Sequence, residues 1–143
     1  MRRFQGVPTV QDSIFTKIVQ REIPAAIVYE DDEIIAFMDA GQVNPGHVLV
    51  ATKQQAETLM DIDDALAGRL FVVVARVARA VQAAFAPEGI TVLQANRPAG
   101  WQTVPHLHLH VLPRFAGDGV ELVWPRKNPT PELLRDYASR IRL

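Results

Sequence analysis

Apolar residues Ile14, Phe15, Ile18 and Val19 recur at three- and four-residue intervals, the spacing of one helix face. Asp12 or Ser13 stands where that helix needs an N-cap, and Pro24 is expected to end it. Short apolar runs then follow in quick succession. Residues 27–30 and 34–38 read as strands joined by the Asp31-Asp32 turn, and 47–51 as a third strand entered through Asn44-Pro45-Gly46. The period changes over residues 63–86, where Leu66, Leu70, Val73, Val74, Val77 and Val81 follow helical spacing until Pro87 and Gly89 interrupt it. A fourth strand is expected over 90–94, a loop over 96–102 and a fifth strand from about Val104 to Leu112. Thr130-Pro131-Glu132 supplies an N-cap, an N1 proline and an acidic first turn for a last helix.

Strands are neighbours in sequence for much of the chain, with one long helix between two groups. That order predicts an α+β fold with a largely antiparallel sheet. Residues 1–11 lack periodicity and are expected to form a flexible tail, leaving a single domain over 12–143.

Composition narrows the chemistry. With 143 residues, the chain is long enough for one domain with its own core. A net charge of −1 gives no argument for nucleic acid or a membrane surface as partner. No apolar run approaches the roughly 20 residues of a spanning helix, and the N-terminus lacks the apolar stretch of a secretory signal. Cysteine is absent, which excludes disulfides, thiolate catalysis and cysteine-ligated zinc, and suits a cytoplasmic location. Four histidines remain: His47, His106, His108 and His110.

Side chains alternate across a strand, so His106, His108 and His110 share one face while Leu107, Leu109 and Val111 share the other. The apolar face can pack on a core. The imidazole face must satisfy six ring nitrogens, which calls for a polar site. Two chemistries fit this pattern. Imidazoles at i and i+2 can ligate zinc with an open position, or one neutral ring can act as a nucleophile while its neighbours tune it. Spacing alone leaves both open.

The stretch His106-Leu107-His108-Leu109-His110-Val111-Leu112 resembles the signature of the histidine-triad (HIT) family, three histidines alternating with apolar residues and closed by two of them. Ser13 to Val19 with Glu22-Ile23-Pro24-Ala25 resembles the family's opening helix, Ala36-Phe37-Met38-Asp39 its ribose-binding strand end, and Asn44 to Val50 its Pro-Gly-His turn. The resemblance covers about residues 13–114. It implies a five-stranded antiparallel sheet with two main helices, and a homodimer with a continuous ten-stranded sheet. The long helix, including the run Val72 to Val74, would then supply much of the dimer contact.

By the same resemblance His108 is the nucleophile. It would attack the α-phosphorus of a purine nucleoside 5′-phosphate derivative, a phosphoramidate or a dinucleoside polyphosphate. A covalent nucleotidyl-histidine would form, and water would release the monophosphate without any cofactor or metal. His110 would contact phosphate oxygens, with His106 and His47 organising the site. A main-chain carbonyl near the Pro-Gly-His turn is the expected acceptor for the nucleophile's second ring proton. Asp39 would hold the ribose hydroxyls, and Ile14, Phe15, Ile18 and Phe37 would line the purine pocket. Gln102 and Thr103 would meet phosphate or the leaving group. Asn96 resembles the family's phosphate-loop asparagine, with Ala95 competing for that place. A nucleotide-binding module with little turnover is the alternative from another class.

Two departures carry chemical consequences. Ser13 and Thr16 stand where many bacterial relatives have Cys-x-x-Cys, and hydroxyls are poor substitutes for thiolates at zinc. Trp101 stands where relatives often have glycine.

Overall fold

The structure is a computed structural model that describes residues 10–143. Most of the expected tail, residues 1–9, lies outside the described residues. The elements are α1 (Ile14–Val19), β1 (Ile27–Glu30), β2 (Ile34–Met38), β3 (Val48–Thr52), α2 (Asp64–Phe85), β4 (Gly89–Gln94), β5 (His108–Arg114) and α3 (Pro131–Arg140). The strands form one sheet in the order β1-β2-β3-β5-β4, antiparallel at every pairing. This is the α+β architecture that the alternating pattern predicts.

Strand alternation divides the protein into two layers of packing. Ile34 and Ala36 of β2, Val48 and Val50 of β3, and Leu109 and Val111 of β5 face α2, whose Leu70, Val73, Val74, Val77 and Val81 complete the larger core. The opposite face carries Ile35, Phe37, Leu49 and Ala51, and α1 covers it with Phe15 and Ile18. Burying a side chain of this size contributes about 1.5–3 kcal/mol, so both stripes are firmly held. His108 and His110 pair with Ala51 and Leu49, which puts the two imidazoles on the α1 face.

Two expectations need correction, and the choice between Asp12 and Ser13 is decided. The helix α1 stops at Val19, before Pro24 can act. Arg21 takes the left-handed conformation with φ 63°, while Arg21 N–H donates to Ile18 O (3.0 Å) and Glu22 N–H to Lys17 O (2.9 Å). These two bonds form a Schellman closure that satisfies the last carbonyls. The N-cap is Ser13, whose Oγ accepts from Thr16 N–H (3.0 Å). The fifth strand begins at His108, so His106 lies outside it. Pro105 has no N–H for a ladder, and His106 N–H turns back to Val104 O at 2.8 Å.

Candidate active site

The loop between β2 and β3 delivers Asp39 and His47, and its shape is set by side chains that replace missing ladder bonds. Gln42 Nε2 donates to Asp39 O (2.6 Å) and His47 O (2.7 Å), while its Oε1 accepts from Gly46 N–H (2.9 Å) and His47 N–H (3.1 Å). Asn44 Nδ2 ties the loop to the far end of β5 through Pro113 O (2.8 Å) and to Asp118 Oδ2 (3.0 Å). Gly46 has φ 95°, and a Cβ there would meet the Phe85 ring at 2.6 Å. This position therefore needs glycine for both its backbone and its contact with the end of α2.

His106 is fully buried. Its Nε2–H donates to Thr52 O (2.6 Å), since a carbonyl can only accept, and its Nδ1 then accepts from Ser13 Oγ–H (2.6 Å). His108 Nδ1–H donates to the His106 carbonyl at 2.6 Å. That bond assigns the proton to Nδ1 and leaves His108 Nε2 with a free lone pair. The acceptor is thus the residue two positions back, rather than a carbonyl of the Pro-Gly-His turn as expected. Phe15 packs edge-on against His108 at 4.9 Å, against His106 at 5.6 Å and against Phe37 at 5.2 Å.

His110 lies beside His108, with ring centroids 5.1 Å apart, and its Nδ1 is 2.9 Å from His47 Nε2. His47 Nδ1 accepts from Val43 N–H at 3.4 Å, so its proton sits on Nε2 and is donated to His110. The remaining proton of a neutral His110 is then on Nε2, where it can donate. Burial pushes the pKa of all four imidazoles below the ordinary histidine value, and His110, further opposed by His108 and His47, falls to about 4. Asp39 Oδ2 lies 3.5 Å from His47 Nε2 and pulls the other way, though burial wins. The site is therefore neutral at pH 7 apart from that carboxylate. Asp39 Oδ1 also accepts from Gly41 N–H at 2.9 Å.

The structure thus brings together His47, His106, His108, His110, Asp39, Phe15 and Phe37. Ile18 is buried behind Phe15, whereas Ile14 is 55% exposed. The loop residues are placed differently. Gln102 Oε1 accepts from Arg97 N–H and its Nε2 donates to Glu57 O, both at 2.6 Å, so its amide clamps the loop. Asn96 Oδ1 accepts from Leu59 N–H (2.8 Å) and its amide pairs with Gln94 (2.8 and 2.7 Å). Thr103 is exposed. Trp101 has φ 75°, which accounts for glycine being suited to its position.

Sequence reasoning missed Gln42 and Gln55, each a hub of main-chain bonds with no periodic signal. Asp39, His47 and His110 each offer a donor atom, and these lie within 4.8 Å of one another, a set able to take a metal ion.

A family model for the HIT domain matches residues 20–117. The chain is 39% identical to protein hit of Bacillus subtilis over 134 residues, covering 92% of each chain. It is 34% identical over 105 residues to the purine nucleoside phosphoramidase of Escherichia coli K12, covering 71% of this chain and 87% of that one. The crystal structure of a HIT family member from Bacillus subtilis superimposes with a TM-score of 0.86 at 38% identity, over 91% of this chain and 94% of that one. The chain belongs to the HIT family.

Proposed function

We propose that this protein hydrolyses purine nucleoside 5′-phosphate derivatives at the α-phosphorus, with His108 Nε2 as the nucleophile. The observation that carries the reading is the 2.6 Å bond from His108 Nδ1–H to the His106 carbonyl, which leaves the opposite nitrogen unprotonated. The phosphoramidase name of the Escherichia coli relative supports the substrate class.

In this reading the Nε2 lone pair forms a bond to phosphorus as the bond to the leaving nitrogen or oxygen breaks. The leaving group carries away the electron pair and takes a proton from solvent, which the attacking water of the second step returns. His110 Nε2–H donates to a phosphate oxygen, stabilising charge that grows in the transition state. Water then attacks the nucleotidyl-His108 phosphorus, the P–N bond breaks, and the nucleoside monophosphate departs. Asp39 accepts from the ribose hydroxyls, and Phe15, Phe37 and Ile18, with Ile14 at the rim, receive the purine. Gln102, Asn96 and Thr103 shape the phosphate side, the first two by holding the loop. Adenosine phosphoramidates and dinucleoside polyphosphates are both candidate substrates.

The same reading includes a homodimer. The edge strand β4 offers a free ladder, and Phe71, Val72 and Val92 are 58%, 43% and 41% exposed. It also places the enzyme in the cytoplasm, in keeping with a cysteine-free chain. No helix among the described residues is long and apolar enough to cross a membrane.

Turnover of adenosine 5′-phosphoramidate, followed by release of AMP, tests the reading against His108→Ala. Hydrolysis by the parent protein and none by the variant is the expected result. Nucleotide binding by both without hydrolysis by either would instead make the protein a binding module.

A further inference from the structure

His108 owes its proton placement to a carbonyl, and that carbonyl belongs to a residue outside the strand. The peptide of His106 is held from one side by Leu107 N–H, which donates to Ala56 O (2.7 Å), and the ring is held separately by side chains and the Thr52 carbonyl. Its ring is fully buried and held at both nitrogens, by Thr52 O on Nε2 and by Ser13 Oγ on Nδ1. The Thr52 carbonyl compels the proton onto Nε2, so Nδ1 requires a donor. Thr16 Oγ1 is 3.4 Å from Nδ1 and directs its own proton to Gln55 Oε1 at 2.6 Å. Ser13 Oγ also lies 3.2 Å from Thr16 Oγ1, but its single proton goes to the much nearer His106 Nδ1 at 2.6 Å.

The same Ser13 oxygen accepts from Thr16 N–H, and Ser13 N–H donates to Gln55 Oε1 at 2.9 Å. One residue therefore fastens the start of α1, which carries Phe15, to the ring of His106. We propose that Ser13 is a positioning residue for His108, acting through His106. It completes the hold on the His106 ring that the Thr52 carbonyl begins, and so steadies the residue whose carbonyl accepts His108 Nδ1–H. Removing the hydroxyl leaves a buried, unpaired nitrogen, and the ring must tilt or exchange its proton to recover a partner. Either response moves the acceptor of the His108 bond.

This assignment rests on the hydrolase reading for its kinetic consequence, while its geometric content stands independently. Ser13→Gly is the informative variant, because glycine retains most N-cap strength yet cannot donate. Long-range 1H–15N spectra of the imidazoles report the tautomers without any turnover. In the parent protein His106 should carry its proton on Nε2 and His108 on Nδ1. In Ser13→Gly both sets of ring signals should shift, and Ser13→Thr should restore them. With adenosine 5′-phosphoramidate, kcat of the glycine variant should fall by about ten- to a hundredfold with KM nearly unchanged, and threonine should rescue it. A parent protein with His106 protonated on Nδ1 would overturn the proposal, even if the glycine variant fails to fold. So would unchanged ring signals in a folded glycine variant. If the parent turns over no phosphoramidate while the signals shift as expected, the hydrolase reading fails and the assignment of Ser13 stands.

Discussion

His47 Nε2 and His110 Nδ1 lie 2.9 Å apart, joining the turn before β3 to the middle of β5 by an imidazole–imidazole hydrogen bond. Such a bond requires one ring to donate and the other to accept, so it survives only while the acceptor, His110 Nδ1, stays unprotonated. Burial enforces this, holding the pKa of His110 at about 4 and that of His47 below its ordinary value. The linkage sign follows. Unfolded histidines take protons near pH 6.5 and the folded ones resist until lower pH, so the unfolded chain binds more protons on acidification. Stability from the four rings is present above about pH 6.5 and falls progressively toward pH 4. Thermal melts across this window should show a drop on the order of 5 °C. The drop should shrink in His110→Asn, which has no proton to gain. A flat profile in the parent protein would contradict the neutral cluster.

The acid limb of the rate profile should follow the same groups. Turnover needs His108 Nε2 unprotonated, and burial lowers its pKa against the opposing pull of its bond to His106 and of Asp39. The kcat/KM of phosphoramidate hydrolysis should therefore be level near pH 7 and decline only below pH 6.5. A decline centred above pH 7 would mean that His108 is not shielded as its burial implies.

The faces of the sheet were legible in the sequence because alternation is a local property. The split between His106, His108 and His110 on one side and Leu107, Leu109 and Val111 on the other survives even though His106 lies off the strand. The candidate residues of the triad were legible for the same reason. Hydrogen-bond partners were less so. The His106 carbonyl as acceptor depends on the turn at Pro105, and Gln42 and Gln55 are polar loop residues whose spacing resembles that of any solvated position. Gln102 and Asn96 illustrate the converse, since a polar residue near a site can direct its amide into the loop.

Gly46 should be intolerant of a side chain. Its φ of 95° disfavours any L-residue, and the Phe85 ring occupies the space where Cβ would go. Gly46→Ala is expected to cost about 1–3 kcal/mol. Phe85→Ala in the same background should relieve the clash but leave the backbone strain, so denaturant midpoints of the double variant should recover only in part. Full recovery would show that the contact alone matters.

Asp39→Asn should weaken ribonucleotide recognition. A carboxylate accepts from two hydroxyls at once, while an amide presents one acceptor and an unwanted donor. Loss of a charge-assisted bond of about 1.5–3 kcal/mol corresponds to roughly ten- to a hundredfold in KM. A 2′-deoxyribonucleotide substrate should lose less from the same substitution. The imidazoles would lose the carboxylate that raises their pKa, which keeps them neutral and leaves kcat near pH 7 little changed. An equal loss for ribo and deoxy substrates would remove Asp39 from ribose binding.

Metal removal separates the two chemistries that the histidine spacing alone permits. Asp39, His47 and His110 could take an ion, but His47 already donates its Nε2 proton to His110 Nδ1. An ion there must break that bond and take the place of the shared proton. His47 would also have to move its proton to Nδ1, against the Val43 N–H that now points at that nitrogen. Chelation is therefore expected to leave phosphoramidate turnover within about twofold of the untreated protein, and added zinc to inhibit by capturing neutral imidazoles. Inhibition should weaken in Asp39→Asn, which removes the charged ligand, and weaken as pH falls and protons compete. Activity lost on chelation and restored by zinc would instead assign the reaction to a metal-bound water, and His108 would no longer be its nucleophile.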